Sequence, residues 1–371
     1  MIPVFKPCMG KEEANAVKKI LMSGWIGLGP KTKEFEDKFA AYIGTKYAVA
    51  LNSATAALHL AFMVIGNEKN EVITTPMTFV STNHAILYNG GIPVFCDIEK
   101  DTLNIDANKI EQLITRKTKA IVVVHFGGYP VDLDRVLALA KKHKLKVIED
   151  VAHGCGGEYK ARKLGSIGDM GCFSFHAVKN LATGDGGMIT TNDEKAYKRL
   201  LKLRWLGITK DTWSRADNKT NQYSWFYNVE ELGFKCHMND INAAIGLVQL
   251  KKLDKMNRRR FEISQFYTKQ LAGVGDIQTP VIKNYMTRPA CHNFVIKTAV
   301  RDKLSEFLKN KGISTGVHYI PNNSYEMYKK FGRSTPVART VWKKLLTLPL
   351  FPDLKQKDFN LVINSIKEFM R

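Results

Sequence analysis

An α/β architecture is predicted for this chain: a large, mostly parallel sheet with helices on both faces, followed by a small C-terminal α+β domain. Two observations predict it. Between residues 45 and 191, short β-branched and apolar runs alternate with stretches of helical periodicity, the pattern of parallel strands joined by crossover helices. Some of these runs, such as AIVVV from Ala120, are apolar at consecutive positions, which marks strands covered on both faces. At 371 residues the chain is long enough for one large domain and a smaller one.

The elements follow in order. Residues 12–22 read as a helix expected to pack near the domain junction. A strand at 47–51 leads into an Ala-rich helix at 54–65, and a strand at 72–75 into a helix at about 79–87. Strands at 92–97 and 120–125 precede a helix at 133–142 and a strand at 146–150. After residue 191 the alternation stops. Asn239 is placed as the N-cap of a helix over 239–253 that continues through the Arg258 to Arg260 run. A strand at 292–297, a helix at 302–311, a strand at 313–319 and closing helices complete the chain. The division is set at residues 1–250 for the large domain and 251–371 for the small one.

Composition excludes several classes. With 44% hydrophobic and 25% charged residues, the chain reads as an ordinary globular protein. No apolar run is long enough to span a bilayer, and MIPVFKPCMGKEEAN lacks the apolar segment of a signal peptide. A cytoplasmic location is therefore expected. The six cysteines are scattered with no C-x-x-C pair, which argues against a zinc site or a disulfide framework. The net charge of +21 admits nucleic-acid binding, but Lys and Arg are spread along the chain without a long block, so a diffusely basic surface is preferred. Such a surface would also draw in an anionic cofactor and substrate.

The chemistry concentrates between residues 147 and 191. An apolar run ends in Glu149 and Asp150; Ser174 and Lys179 follow, and then a Gly-rich turn, Gly184 to Gly187. A carboxylate at a strand end and a lysine beside a glycine-rich loop are what pyridoxal phosphate (PLP) chemistry requires. The amine bonds the cofactor's aldehyde, the acid keeps the pyridine nitrogen protonated, and a hydroxyl helps hold the phosphate. Free N–H groups at the helix opening with Thr55 and Ala56 also suit that phosphate.

Colinear segments along nearly the whole chain resemble the DegT/StrS family of PLP-dependent sugar aminotransferases. They are SGWIGLGPKTKEFE (from Ser23), LNSATAALHLA (Leu51), EVITTPMTFVST (Glu71), EDVAHG (Glu149), GDMGCFSFHAVKNLATGDGGM (Gly168), MNDINAAIGLVQL (Met238) and GISTGVHYIP (Gly312). The resemblance implies PLP fold type I, with a large seven-stranded sheet domain, and a homodimer whose active sites are shared between subunits. It also implies a cofactor cycling between PLP and its amino form (PMP).

Residue by residue, the resemblance makes Lys179 the cofactor-bonding lysine, where related dehydratases carry His. Asp150 becomes the partner of the pyridine nitrogen. His153 matches a position that contacts the ring hydroxyl, with a buried structural histidine as the alternative. Ser174 would join Thr55 and Ala56 at the phosphate, while Ala54 stands where relatives usually have Gly. Phe79 matches an aromatic that stacks on the ring, unless it is ordinary core. Lys235 occupies a position that in relatives reaches the neighbouring subunit's phosphate, although Cys236 and His237 depart from the usual pattern. Trp25, His318 and Tyr319 match the substrate side, with hinge packing as the alternative for Trp25.

The expected reaction moves an amino group from glutamate to a nucleotide-linked 4-keto-6-deoxyhexose, giving a 4-amino-4,6-dideoxy sugar of the viosamine or perosamine type. The segment RWLGITKDTWSR (from Arg204) inclines toward the 4-keto class, with a 3-keto sugar as the alternative. A non-catalytic regulator or nucleic-acid-binding protein on the same fold is the alternative of another class.

Overall fold

The structure, a computed structural model, describes residues 1–209 and 227–371. Two helices, α1 (Lys11–Ser23) and α2 (Pro30–Ile43), precede strand β1 (Tyr47–Leu51). Helix α3 (Ala54–Ile65) then starts under a cap from Ser53, whose hydroxyl accepts the Ala56 N–H, and ends at Gly66 with φ 68°. There follow β2 (Glu71–Thr74), α4 (Val80–Tyr88), β3 (Ile92–Phe95), β4 (Thr118–Val124), α5 (Leu133–His143) and β5 (Lys146–Asp150). A two-stranded ribbon, β6 (Glu158–Tyr159) with β7 (Arg162–Lys163), precedes β8 (Met170–Ser174), β9 (Gly187–Thr191) and α6 (Glu194–Leu203). The 32-residue α7 (Asp240–Leu271) is capped by Asn239, as expected. The chain closes with β10 (Phe294–Lys297), α8 (Arg301–Asn310), α9 (Pro336–Val341), β11 (Leu345–Leu348) and α10 (Gln356–Phe369).

The large sheet is seven-stranded, in the order β1-β9-β8-β5-β4-β2-β3. Strand β9 pairs antiparallel with both β1 and β8, and the remaining pairs are parallel. The consecutive apolar residues are explained by period two. Ile121 and Val123 enter the core under α2, α5 and α7, while Ala120 and Val122 enter the core under α3 and α6. The helices thus cover both faces, and the parallel strands end along one edge where their loops collect.

Helix α7 crosses residue 250. Its Ala243 and Leu253 belong to the large core, and its Ile263, Tyr267 and Leu271 to the small one, so one rigid rod joins the two. The small unit departs from expectation in two elements, a strand expected at 313–319 and the unexpected β11. Residues 313–319 form no strand; only isolated bridges from Ile313 to Ile2 and from Gly316 to Thr347 are present. The partner of β10 is β11, paired antiparallel. LLTL is too short and uniform to show a strand period, whereas His318 and Tyr319 line the cavity described below.

Candidate active site

Strand ends and helix starts meet around a cavity of about 490 Å³, within the usual range for small-molecule sites. Asp150, the last residue of β5, lies at its wall and is buried. One carboxylate oxygen accepts the Ala152 N–H (3.0 Å) and the other accepts the Thr82 hydroxyl (2.7 Å). Since Thr82 gives its proton to Asp150, it accepts from the Thr78 hydroxyl at 2.8 Å. Burial pushes the Asp150 carboxyl up, against the bonds from Ala152 and Thr82 and the charge of Lys179. No cation among the described residues pairs with it, so the site offers a desolvated acid suited to a cationic ring nitrogen.

Lys179 follows β8 in a loop whose N–H bonds back to His176 O (2.8 Å), and it lines the same cavity. Burial pushes its amine down to about 8, against the pull of Asp150. Ser53, Thr55 and Ser174 border the cavity at the start of α3 and the end of β8, where unbonded first-turn N–H groups suit a phosphate. A Cβ at Gly187 would lie 2.3 Å from Ser53 O, so only glycine lets β9 pass under this turn. Phe79, 59% exposed, lines the cavity at the start of α4.

His153 is engaged on both sides of its ring. Nδ1 accepts the Gly127 N–H (3.3 Å), so Nε2 carries the proton and donates to the Tyr319 oxygen at 3.1 Å. Burial, then the charges of Lys179 and His318, holds the imidazole well below its usual range. Tyr319 is therefore left with its own proton to donate. His318 shares a hydrogen bond with Thr347 Oγ1 (2.8 Å) and is pushed down to about 4, first by burial and then by Lys179.

The cavity thus gathers Lys179, Asp150, Thr55, Phe79, His153, Ser174, His318 and Tyr319. It does not gather three other expected residues. The Ala56 N–H is taken by Ser53 Oγ (3.1 Å). Trp25 packs on Gly29 and donates its indole N–H to Leu28 O (3.0 Å). Lys235, exposed, lies 4.3 Å over the Trp205 ring. Arg204 forms a buried ion pair with Glu36; the remainder of that segment from residue 210 lies outside the described residues. Residues missed in the sequence include Thr82, Thr78 and His292. The first two stand among several threonines of EVITTPMTFVST, and no spacing singles out the one that meets Asp150.

An acid for a ring nitrogen, a loosened lysine amine and a phosphate cradle fit pyridoxal phosphate. Comparison with known proteins agrees. The family model described as the DegT/DnrJ/EryC1/StrS aminotransferase family matches residues 7–367. The spore coat polysaccharide biosynthesis protein SpsC of Bacillus subtilis is 42% identical over 382 residues, covering 100% of this chain and 97% of that protein. Spr1654 from Streptococcus pneumoniae in its PMP form superposes with a TM-score of 0.93 at 33% identity, covering 100% of this chain and 99% of that one. The sugar aminotransferase CalS13 from Micromonospora echinospora superposes at 0.91 and 33% identity, covering 99% and 100%.

Proposed function

Since the chain belongs to the DegT/DnrJ/EryC1/StrS aminotransferase family and is a PLP-dependent sugar aminotransferase, we propose that it aminates a nucleotide-linked 4-keto-6-deoxyhexose at the expense of glutamate. The product is the corresponding 4-amino-4,6-dideoxy sugar nucleotide. One observation carries the residue assignment: a buried acid with no ion-pair partner among the described residues, Asp150, and a lysine whose pKa burial lowers to about 8, Lys179, line one cavity.

When bound, the cofactor supplies a carbonyl that takes up the amino group and a protonated ring that withdraws electrons from the neighbouring C–H bond. Asp150 holds the proton on the ring nitrogen, and Thr82, itself backed by Thr78, fixes the carboxylate that does so. Thr55 and Ser174 bind the phosphate. Phe79 covers the ring. Lys179 Nζ removes the proton from the donor's Cα and returns one to the sugar carbon, a transfer that its lowered pKa of about 8 favours near neutral pH. His153 holds Tyr319 so that the phenolic proton points away from the imidazole, and with His318 these residues form the substrate wall.

The proposed enzyme is a homodimer. An apolar groove of about 690 Å³ runs beside the Lys179 loop, lined by Met9, Val17, Leu21, Met22 and Ile245 together with Ala177 and Gly184 of that loop. Covering it with a second copy would bring each subunit against the other's active site, where Trp25 and Lys235 could act in trans. No helix among the described residues is long and apolar enough to cross a membrane.

The test is a pair of half-reactions. Glutamate should bleach the visible band of the PLP-loaded protein, and dTDP-4-keto-6-deoxyglucose or its GDP counterpart should restore it with formation of an amino sugar nucleotide. Restoration by a 3-keto isomer alone would move the reaction to C3. Failure with every sugar nucleotide would defeat the proposal.

A further inference from the structure

One cavity residue carries chemistry that these roles leave unused. His292 is 3% exposed and lines the cavity. Its ring is stacked between Phe5 (centroids 5.1 Å apart, 3° between planes) and His153 (4.5 Å, 28°). Its neighbours fix its tautomer. Asn180 donates its amide hydrogens to Asn257 Oδ1 (2.8 Å) and Ala290 O (2.8 Å), and Asn257 in turn donates to Cys155 O (2.9 Å). Both amides are thereby oriented, and Asn180 can only present its Oδ1 to His292. Nδ1 of His292, 3.0 Å away, therefore carries the proton.

Burial, then the charges of Lys179 and His153, keeps the ring from taking a second proton. Nε2 is left as a bare acceptor with no partner among the described residues. Nε2 is not fully enclosed, and the open space that His292 borders is the cavity.

We propose that His292 is a specificity-determining residue whose Nε2 accepts a hydrogen bond from a hydroxyl of the sugar and none from the amino donor. The inference rests on the sugar-nucleotide reading above. Glutamate brings one donor group, the reacting amine, and its ionised carboxylates are acceptors only. A hexose carries hydroxyl donors around the reacting carbon. A bare lone pair in a desolvated wall therefore favours the sugar and repels a carboxylate, so the two substrates of one cavity are told apart at this atom.

His292→Phe preserves the ring stack and removes Nε2. With the PLP-loaded enzyme, the rate at which glutamate bleaches the visible band should change less than about 3-fold, while kcat/KM for dTDP-4-keto-6-deoxyglucose falls about 10-fold, the worth of one hydrogen bond. Calorimetric affinity for the amino sugar nucleotide product should fall by the same factor. His292→Gln can donate to Asn180 and still present an oxygen to the cavity, so it should recover most of the loss. Equal losses in both half-reactions, no loss in either, or a Gln variant as impaired as the Phe variant overturns the inference. A wild-type enzyme that accepts no sugar nucleotide overturns the reading beneath it, whereas an active wild type with an unaffected Phe variant overturns this inference alone.

Discussion

At the scale of single residues, what distinguishes Lys179 is the place of its amine rather than a dedicated partner. Burial lowers its pKa to about 8, and the carboxylate of Asp150 only partly restores the charge. An ordinary lysine near 10.4 is about 0.04% neutral at pH 7, whereas one near 8 is about 10% neutral. Since only the neutral amine attacks the cofactor's aldehyde, capture of PLP by the apo-protein should quicken with pH and level off above about 8. Stopped-flow absorbance across that range checks it, with Lys179→Ala as the control that leaves the cofactor removable by dialysis. A rate still climbing steeply at pH 10 would show an amine that is effectively solvated. Lys179 and Asp150 were legible in the sequence because a strand end, a lysine and a glycine turn fall within one motif. Thr82 and His292 were not, because their partners lie far off in the chain and only the folded sheet brings them together.

At the scale of elements, Asp150 owes its position to the residue before it. Glu149 is wholly buried and closes the end of β5 onto the loop ahead of β8. Its two oxygens accept N–H groups from Gly165 (2.9 Å), Ile167 (2.8 Å) and Gly168 (2.7 Å), and the proton of His125 Nε2 at 3.1 Å. His125 is the donor there because its Nδ1 accepts the Val131 N–H (3.2 Å). Burial raises the carboxyl of Glu149, but His125 and the backbone donors together outweigh it and the net shift is downward. The stabilisation is therefore present above the ordinary glutamate value of 4.5 and lost as pH falls through the lower folded value. Glu149→Gln would turn an amide against one of these N–H groups and should cost ~3 kcal/mol in urea unfolding at pH 7. The gap to wild type should narrow in acid; equal stability at pH 7 would remove Glu149 from this role. The sequence revealed β5 through its apolar run and Asp150 as the acid for the cavity, yet nothing in the EDVAHG segment showed that Glu149 anchors the sheet. Burial by itself could not have told them apart, since both are enclosed; the number of donors around each does. The strand expected at 313–319 failed for a related reason, as its β-branched residues were counted without the cavity that claims His318 and Tyr319.

At the scale of the whole molecule, the sheet and its two helix layers were legible because the apolar alternation has no other use, but a surface has no such constraint. Trp25 and Lys235, expected in the site, lie away from their own chain's cavity, and the apolar groove beside Ala177 and Gly184 leaves Leu21 at 55% and Met22 at 80% exposure. Both facts have one explanation in the proposed homodimer, since isologous contact buries such a patch and carries each subunit's outlying residues to its neighbour. A contact of this kind makes activity depend on association. Leu21→Asp paired with Met22→Asp places two charges on the groove without touching the cavity. Light scattering should show a monomer at micromolar concentration, and its PLP should be held more weakly than in wild type because the partner's contribution is gone. Specific activity should rise with protein concentration along the same curve as the dimer fraction. A monomeric variant with full activity at every concentration would separate the site from the groove, and would leave Trp25 and Lys235 with no part in the reaction.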